Sequence, residues 1–295
     1  MSDYLWDRTG PVDDDVARLE QTLVPLRYHR PLHLPAQVSS SRPYLALAAA
    51  VLIGVFAWWL HPGVPQQPSA WHSGGKPLAA GQRIRTGPSR QLLEAADFGE
   101  IRVEPDSELT IGPKHRMTLR QGRMHALIWA PPGQFVVDTP SAKAVDLGCQ
   151  YELSVDGAGN GFLKVETGWV AFQAGTLESF IPAGAACRTS RATGPGIPFY
   201  TDASPAFLSA LDTGDLSGML GAARPKDSLS LWHLLARVEA GDRRKVFERF
   251  RELTPVQVDE RRALTLDREA LDECWNALNL DDVDWWRTWK RAWRQ

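Results

Sequence analysis

The stretch YELSVDGAGNGFLKVETGWV, residues 151–170, decides the fold of the larger part of this chain. Apolar and polar residues alternate on both sides of the glycine-rich loop Asp156–Gly161. Alternation with period two is typical of a strand with one buried face, and such a loop joins two antiparallel strands. The stretch therefore predicts a β-hairpin, whose inward-facing residues are Tyr151, Leu153, Val155, Leu163 and Val165.

The same alternation extends in both directions from the hairpin. Glycines separate short segments, and alternating pairs recur at Ile101/Val103, Leu127/Trp129 and Phe135/Val137. About ten short strands at this spacing are typical of an all-β sandwich, barrel or solenoid. We therefore predict one all-β domain over residues 70–188.

The period changes after residues 189–205, which are rich in Gly, Pro, Ser and Thr and predict a linker. Apolar residues then recur every three or four positions, which is typical of amphipathic helices that pack into a core. Residues 206–295 therefore predict a small α-helical domain, with one helix opened by the N-cap residue Asp267. The apolar stripes are Leu231/Leu234/Leu235/Val238, Val246/Phe247/Phe250/Leu253 and Leu271/Trp275/Leu278.

A tryptophan-rich segment opened by Asp284 follows these stripes. A helix here places Trp285, Trp289 and Trp293 on one face and basic residues over much of the rest. This pattern is typical of a helix that lies on a membrane surface or docks on a partner. The alternative is that the three tryptophans pack on the preceding helices, and both interpretations stay open. The tryptophans are therefore candidate partner-binding residues.

Upstream of the β region lies an uncharged apolar segment, residues 43–60. About eighteen residues are enough to cross the hydrocarbon core of a bilayer. Tyr44 at one end, and Trp58 with Trp59 at the other, are residue types enriched at membrane interfaces. The segment predicts a transmembrane helix rather than a core helix or a cleaved signal peptide, because it lacks a polar face and starts late in the chain.

Basic residues flank this segment unequally. Arg27, Arg30 and Arg42 precede it, whereas the Pro-rich linker that follows, residues 61–69, carries no Lys or Arg. Because positively charged flanks stay in the cytoplasm, we expect residues 1–42 to form a cytoplasmic head. The remainder would then lie in the periplasm of a bacterium, anchored in the inner membrane.

The head contains one predicted amphipathic helix, from about Val12 to Val24. One helix cannot bury an apolar stripe by itself, so it either docks on a partner or remains a loose tail. The stripe, which supplies four candidate partner-binding residues, consists of Val12, Val16, Leu19 and Leu23.

Six segments of the β region resemble, in order and spacing, the motifs of the FecR domain. That domain is the periplasmic sensor of membrane-bound anti-sigma-type regulators. The segments are Thr86–Ser89 (TGPS), Asp97–Ser107 (DFGEIRVEPDS), Leu119–Arg123 (LRQGR), Phe135–Pro140 (FVVDTP), Ala144–Gly148 (AVDLG) and Val165–Val170 (VETGWV).

The resemblance implies a sensor that receives a signal outside the cytoplasm and passes it to an extracytoplasmic-function sigma factor. The implied partners are that sigma factor on one side and an envelope protein or glycan on the other. The glycines of these motifs suit turns and their apolar residues suit a core, so we expect none of them to form an active site.

Three cysteines lie on the proposed outer side. Cys149 and Cys187 flank the last predicted strands, and the periplasm favours disulfides. A bridge between them would close a loop of about 40 residues and stabilise the fold by roughly 3 to 4 kcal/mol. A bridge and two buried free thiols remain alternatives, whereas Cys274, beside Trp275, is expected to be a packed thiol.

Composition and motifs argue against several other classes. A formal net charge of −2 provides no basic field for direct nucleic-acid binding. The sequence has no CxxC, phosphate-binding or G-x-S-x-G motif, and Pro31 interrupts the pair His29 and His33. We therefore expect no metal, no cofactor and no enzymatic activity.

Two functions follow from these observations. The first is a non-enzymatic, single-pass inner-membrane signalling protein whose FecR-like sensor regulates an extracytoplasmic-function sigma factor. The second is a membrane-anchored periplasmic scaffold that binds polysaccharide, peptidoglycan or an envelope assembly partner. The head is essential to the first function and dispensable to the second.

Overall fold

The computed structural model describes residues 14–23 and 68–280. The chain divides between Pro62 and Gly63 into two units. The described part of the first unit is helix α1, Asp14–Leu23, which confirms the predicted head helix over these residues. No helix within the described ranges is both long and apolar enough to cross a bilayer. The predicted transmembrane segment, residues 43–60, lies outside those ranges.

The second unit consists of a β body followed by helices. Its strands are β1 (Pro68–Ser73), β2 (Lys76–Ala79), β3 (Arg83–Arg85), β4 (Gln91–Ala95), β5 (Gly99–Val103), β6 (Glu108–Ile111), β7 (Arg116–Ile128), β8 (Val136–Asp138), β9 (Lys143–Asp146), β10 (Gln150–Val155), β11 (Gly161–Thr167), β12 (Trp169–Ala174), β13 (Leu177–Pro182), β14 (Ala185–Ser190), β15 (Gly194–Pro195) and β16 (Phe199–Tyr200).

The long strand β7 belongs to two layers of strands. Its first half pairs with β6 and β8, and its second half, from Gly122, pairs with β5 and β10. Gly122 at this change of partners has a φ of 98°, which L-residues rarely adopt. One layer contains β3, β6, β8, β9, β12 and β13. The other contains β1, β2, β4, β5, β10, β11, β14, β15 and β16.

The predicted hairpin is confirmed as β10 and β11, which pair antiparallel with Leu153 opposite Leu163. The alternating residues Tyr151, Val155 and Val165 are buried with them. Inward-facing side chains of both layers form one hydrophobic core, as the period-two pattern predicts.

The stretch predicted as a linker, residues 189–205, belongs to the β body. Strands β15 and β16 lie within it and pair with β14, and both residues of β16 are buried. The strands therefore run from Pro68 to Tyr200 rather than over residues 70–188. The reason is that Phe199 and Tyr200 pack on the core, although the glycines and prolines around them are typical of a loop.

The helices follow the β body directly. They are α2 (Pro205–Thr213), α3 (Leu216–Ala222), α4 (Ser228–Leu235), α5 (Arg243–Leu253), α6 (Glu260–Leu264) and α7 (Arg268–Ala277), with a short 3₁₀ turn at Pro225–Asp227. The predicted N-cap is confirmed, because the Asp267 carboxylate accepts a hydrogen bond from the Ala270 N–H. All eight residues of α4 are buried, so this helix forms the centre of the helical region.

Candidate functional site

The sheet and the helices meet at a cluster of aromatic side chains. Residues 169–172 of β12 and 179–182 of β13 are continuously buried, as expected for strands covered on both faces. The Trp275 ring of α7 lies 4.7 Å from Trp232 and 5.6 Å from Phe180, measured between ring centroids. Aromatic pairs at these distances add to the stabilisation from buried area. The cluster therefore ties α4 and α7 to the sheet.

His233 joins α4 to the sheet by a hydrogen bond. Its Nε2 accepts from the backbone N–H of Phe180 at 3.1 Å, and its Nδ1 lies 2.9 Å from the Leu229 carbonyl oxygen. Because Nε2 is the acceptor, the proton of the neutral ring is on Nδ1, which donates to Leu229. The buried imidazole thus positions β13 against α4 in one tautomer.

Arg237, just beyond α4, makes a second link to the sheet. Its guanidinium group donates to the carbonyl oxygens of Pro195 (2.7 Å), Gly196 (2.8 Å) and Glu178 (2.8 Å), and to Ser179 Oγ (2.6 Å). Burial lowers the pKa of Arg237, but an arginine remains charged at any physiological pH. A single cation therefore holds together β13, β15 and the end of α4.

A cavity of about 610 Å³ lies beside these links, between the β12–β13 turn and the end of α4. Its volume is in the range of small-molecule sites. Apolar groups dominate its wall, with His233 and Arg237 among the polar ones; the lining is Ala174, Gly175, Thr176, Leu177, Glu178, Trp232, His233, Ala236, Arg237 and Leu266. The cavity can accept an apolar group or a short peptide segment, and its occupant would touch both the sheet and the helices.

A buried polar group, Asp146, lies at the end of β9. The Asp146 carboxylate accepts hydrogen bonds from the Gly148 N–H at 2.7 Å and from the Cys149 thiol at 2.5 Å. Burial raises the pKa of Asp146 to about 7, and hydrogen bonds from the Cys149 thiol and from the Gly148 and Cys149 backbone only partly oppose that shift. The hydroxyl of Tyr151, also buried, has no hydrogen-bond partner among the described residues. Asp146 is therefore a carboxyl group whose protonation changes near neutral pH.

Residues from three of the six segments quoted in the sequence analysis meet at a second polar junction. The Thr86 hydroxyl donates to the Glu104 carbonyl oxygen at 2.6 Å and accepts from the Ser107 N–H at 2.9 Å. Ser107 Oγ in turn accepts from the Arg123 N–H at 2.9 Å. A Cβ at Gly122 would lie 2.2 Å from Ser107 Oγ, so only glycine fits there. These motif residues fix the bend of β7 and have a structural role.

The structure places only part of the predicted partner-binding set. Val16, Leu19 and Leu23 lie on α1, and both leucines are more than half exposed. Val12 and the tryptophans Trp285, Trp289 and Trp293 lie outside the described residues.

Of the two alternatives for Cys149 and Cys187, the structure shows the buried free thiols, and Cys274 is also free and buried. Strand β11 separates β10 from β14. Two strand spacings amount to roughly 10 Å, beyond the roughly 7 Å between Cα atoms that a disulfide allows. The Cys187 thiol instead faces the carbonyl oxygens of Arg188 and Gly196. Cys274 is buried, as predicted.

Sequence reasoning did not find His233 and Arg237. Both lie between residues of the apolar stripe Leu231–Val238, but their partners on the sheet are more than 40 residues away in the chain. Such pairings depend on how the helices pack on the sheet, which no local pattern shows. Within the described ranges, no group of three or more His, Cys, Asp or Glu side chains could hold a metal ion.

Comparisons with known proteins give weak likenesses. No protein-family model matches the chain, and no curated protein does. A crystal structure of a candidate anti-sigma factor from Parabacteroides distasonis ATCC 8503, at 2.50 Å resolution, is 13% identical with a TM-score of 0.35. That likeness covers 45% of this chain and 65% of the other, which is less than two thirds of its length. A second such structure, at 1.65 Å resolution, has the same identity and TM-score and is covered over 75%, against 48% of this chain. Likenesses at this level assign no family to the chain.

Proposed function

We propose that this chain is a single-pass protein of a bacterial inner membrane that senses a periplasmic signal and regulates an extracytoplasmic-function sigma factor. Residues 43–60 span the membrane, with α1 on the cytoplasmic side and the β body and its helices in the periplasm. The signal passes through contacts between proteins and requires no catalysis.

The observation that carries this proposal is the exposed leucine pair on α1. Leu19 is 63% exposed and Leu23 is 56% exposed. They are four residues apart and therefore share one face of the helix, where they need a partner to be buried. An apolar segment long enough to span a bilayer separates this helix from the folded body. This arrangement suits a protein that binds a partner on one side of a membrane and receives a signal on the other.

The folded body supports the sensor half of the proposal. Its FecR-like motif residues Thr86, Ser107 and Gly122 build one junction of the sheet. The cavity of about 610 Å³ between the β12–β13 turn and the end of α4 adds a place where a signal can act, because His233 and Arg237 connect its wall to the sheet. A ligand or peptide that enters this cavity would alter the contact between the sheet and the helices.

A pull-down from membranes tests the proposal with the intact protein and a version that lacks residues 2–38. Partners are identified by mass spectrometry, and membrane insertion of both versions is checked by fractionation. We expect a sigma factor with the intact protein only. If both versions retain the same envelope proteins and neither retains a sigma factor, the chain is a periplasmic scaffold instead.

A further inference from the structure

Three arginines on the β body share one carboxylate. Glu108 Oε1 lies 3.4 Å from Arg83 Nε and 3.7 Å from Arg120 Nε, and Glu108 Oε2 lies 3.3 Å from an Arg85 terminal nitrogen. The side chains of the arginines are 53%, 62% and 67% exposed for Arg83, Arg120 and Arg85, whereas that of Glu108 is only 23% exposed. One carboxylate cannot neutralise three guanidinium groups, so the cluster keeps positive charge facing solvent.

Strand geometry builds this cluster. Arg83 and Arg85 lie on either side of the buried Ile84, so both point to the outer face of β3. Arg85 is directly opposite Glu108 on the neighbouring strand β6, and Arg120 extends from the next strand, β7. The cations are therefore fixed by three paired strands rather than by a mobile loop, which lowers the ordering cost of binding.

A cavity of about 440 Å³ lies next to the cluster, and Arg191 contributes to its wall together with Arg120 and Glu108. The Arg191 guanidinium forms no ion pair with the described residues. Asp156 lies in the β10–β11 loop, whose Gly157 and Gly159 line the cavity. Its carboxylate accepts hydrogen bonds from the N–H groups of Ala158 and Asn160 in that loop. Two arginines, Arg120 and Arg191, and one carboxylate, Glu108, thus line the cavity. Arg83 and Arg85 contact the same carboxylate, so the local charge is positive.

The rest of the lining favours a sugar as the bound group. Thr118 and Gln121 supply a hydroxyl and an amide group that can pair with sugar hydroxyls, whereas the Thr139 hydroxyl is engaged by Ala142 in its own turn. The large exposed hydrophobic side chains of the described residues all lie elsewhere, at Leu19, Leu23, Leu92, Leu127, Trp129 and Leu177. The surface therefore lacks the apolar contacts that a lipid bilayer uses and the aromatic platforms on which bases stack.

We propose that this arginine surface, formed by Arg83, Arg85, Arg120 and Arg191, binds an acidic polysaccharide through its carboxylate groups. Guanidinium groups pair with carboxylates in a planar, two-pronged geometry, and several in a row select a polymer with repeated negative charge. The inference deepens the proposed function, on whose periplasmic placement it rests, by naming the class of envelope ligand that the sensor contacts.

Binding of polygalacturonate to the full-length protein in a neutral detergent tests this inference, with uncharged dextran as the matched polymer. The test variant is Arg85→Gln with Arg120→Gln. The control variant is Arg102→Gln with Arg244→Gln, which removes two exposed arginines from other surfaces. Because each lost guanidinium removes charge-assisted hydrogen bonds and a charge contact, we expect the test variant to bind at least about tenfold more weakly. The control variant should bind like the unmodified protein, and dextran should not bind.

The single variant Arg191→Gln distinguishes a loss of binding from a folding defect in the double variant. It breaks no ion pair among the described residues, so it should fold normally and still bind polygalacturonate more weakly. Three results would overturn the inference: no binding of polygalacturonate, equal losses in test and control variants, or equally tight binding of duplex DNA at the same salt concentration. None of these results affects association of the head with a sigma factor, so the proposed function and this inference fail separately.

Discussion

Replacement of Arg237 by methionine should destabilise the folded body strongly. Methionine keeps much of the apolar stem but removes every guanidinium hydrogen bond. The carbonyl oxygen of Gly196 retains the Ser179 hydroxyl at 2.7 Å, whereas those of Pro195 and Glu178 lose the donors that Arg237 supplied. An acceptor that loses its partner costs about 1–3 kcal/mol when buried; these two are part-buried, so we expect a total loss of about 3 kcal/mol.

Urea unfolding of residues 63–295, followed by tryptophan fluorescence, measures this loss. A decrease of about 3 kcal/mol should lower the midpoint by about 1 M urea for a body of this size. The matched control is Arg244→Met, which removes an exposed ion pair to Glu260 and should cost at most about 1 kcal/mol. Equal midpoints for the two variants would refute the conclusion that Arg237 ties the helices to the sheet.

Three further predictions concern the glycine bend, the buried acid and the thiols. Gly122→Ala should lower the unfolding free energy by about 3 kcal/mol or more, because the added Cβ would overlap Ser107. Gly75→Ala, also at positive φ but in open space, should lower it by only about 1 kcal/mol. Equal melting temperatures of the two variants would contradict this prediction. Because the folded-state pKa of Asp146, about 7, exceeds its ordinary value of 3.8, the folded state binds a proton that the unfolded state releases. The unfolding free energy should therefore fall as the pH rises between those values, and Asp146→Asn should flatten that dependence. If the variant shows the same slope of unfolding free energy against pH as the unmodified protein, Asp146 is not the group responsible. Finally, all three cysteines should resist alkylation in the folded protein and accept three labels in denaturant without reductant; a disulfide, seen as a label count of one, would contradict the structure.

The sequence indicates the strands well and the contacts between distant segments poorly. The hairpin at Tyr151–Val165 is visible because one face of each strand is solvated, which leaves a period-two pattern. The strands β12 and β13 leave no such pattern, since helices cover their second face. Phe199 and Tyr200 look like part of a linker because only tertiary packing distinguishes a buried loop-like segment from an exposed one.

Both candidate sites depend on contacts that join distant positions. His233 meets Phe180 across 53 residues, and Arg85 meets Glu108 through strand register alone. The sequence left a Cys149–Cys187 bridge and two free thiols as alternatives for the same reason, because no local pattern shows that β11 lies between β10 and β14.

The leucine face of α1 allows the most direct test of transmembrane regulation. Leu19→Asp places a charge on that face, and Gln21→Asp places the same charge on the opposite face of the same helix. The measurement is the amount of sigma factor that co-purifies with each full-length variant from membranes at equal expression. We expect Leu19→Asp to lose the sigma factor and Gln21→Asp to retain it. Equal retention by both variants, or no sigma factor with the unmodified protein, would contradict the proposed function.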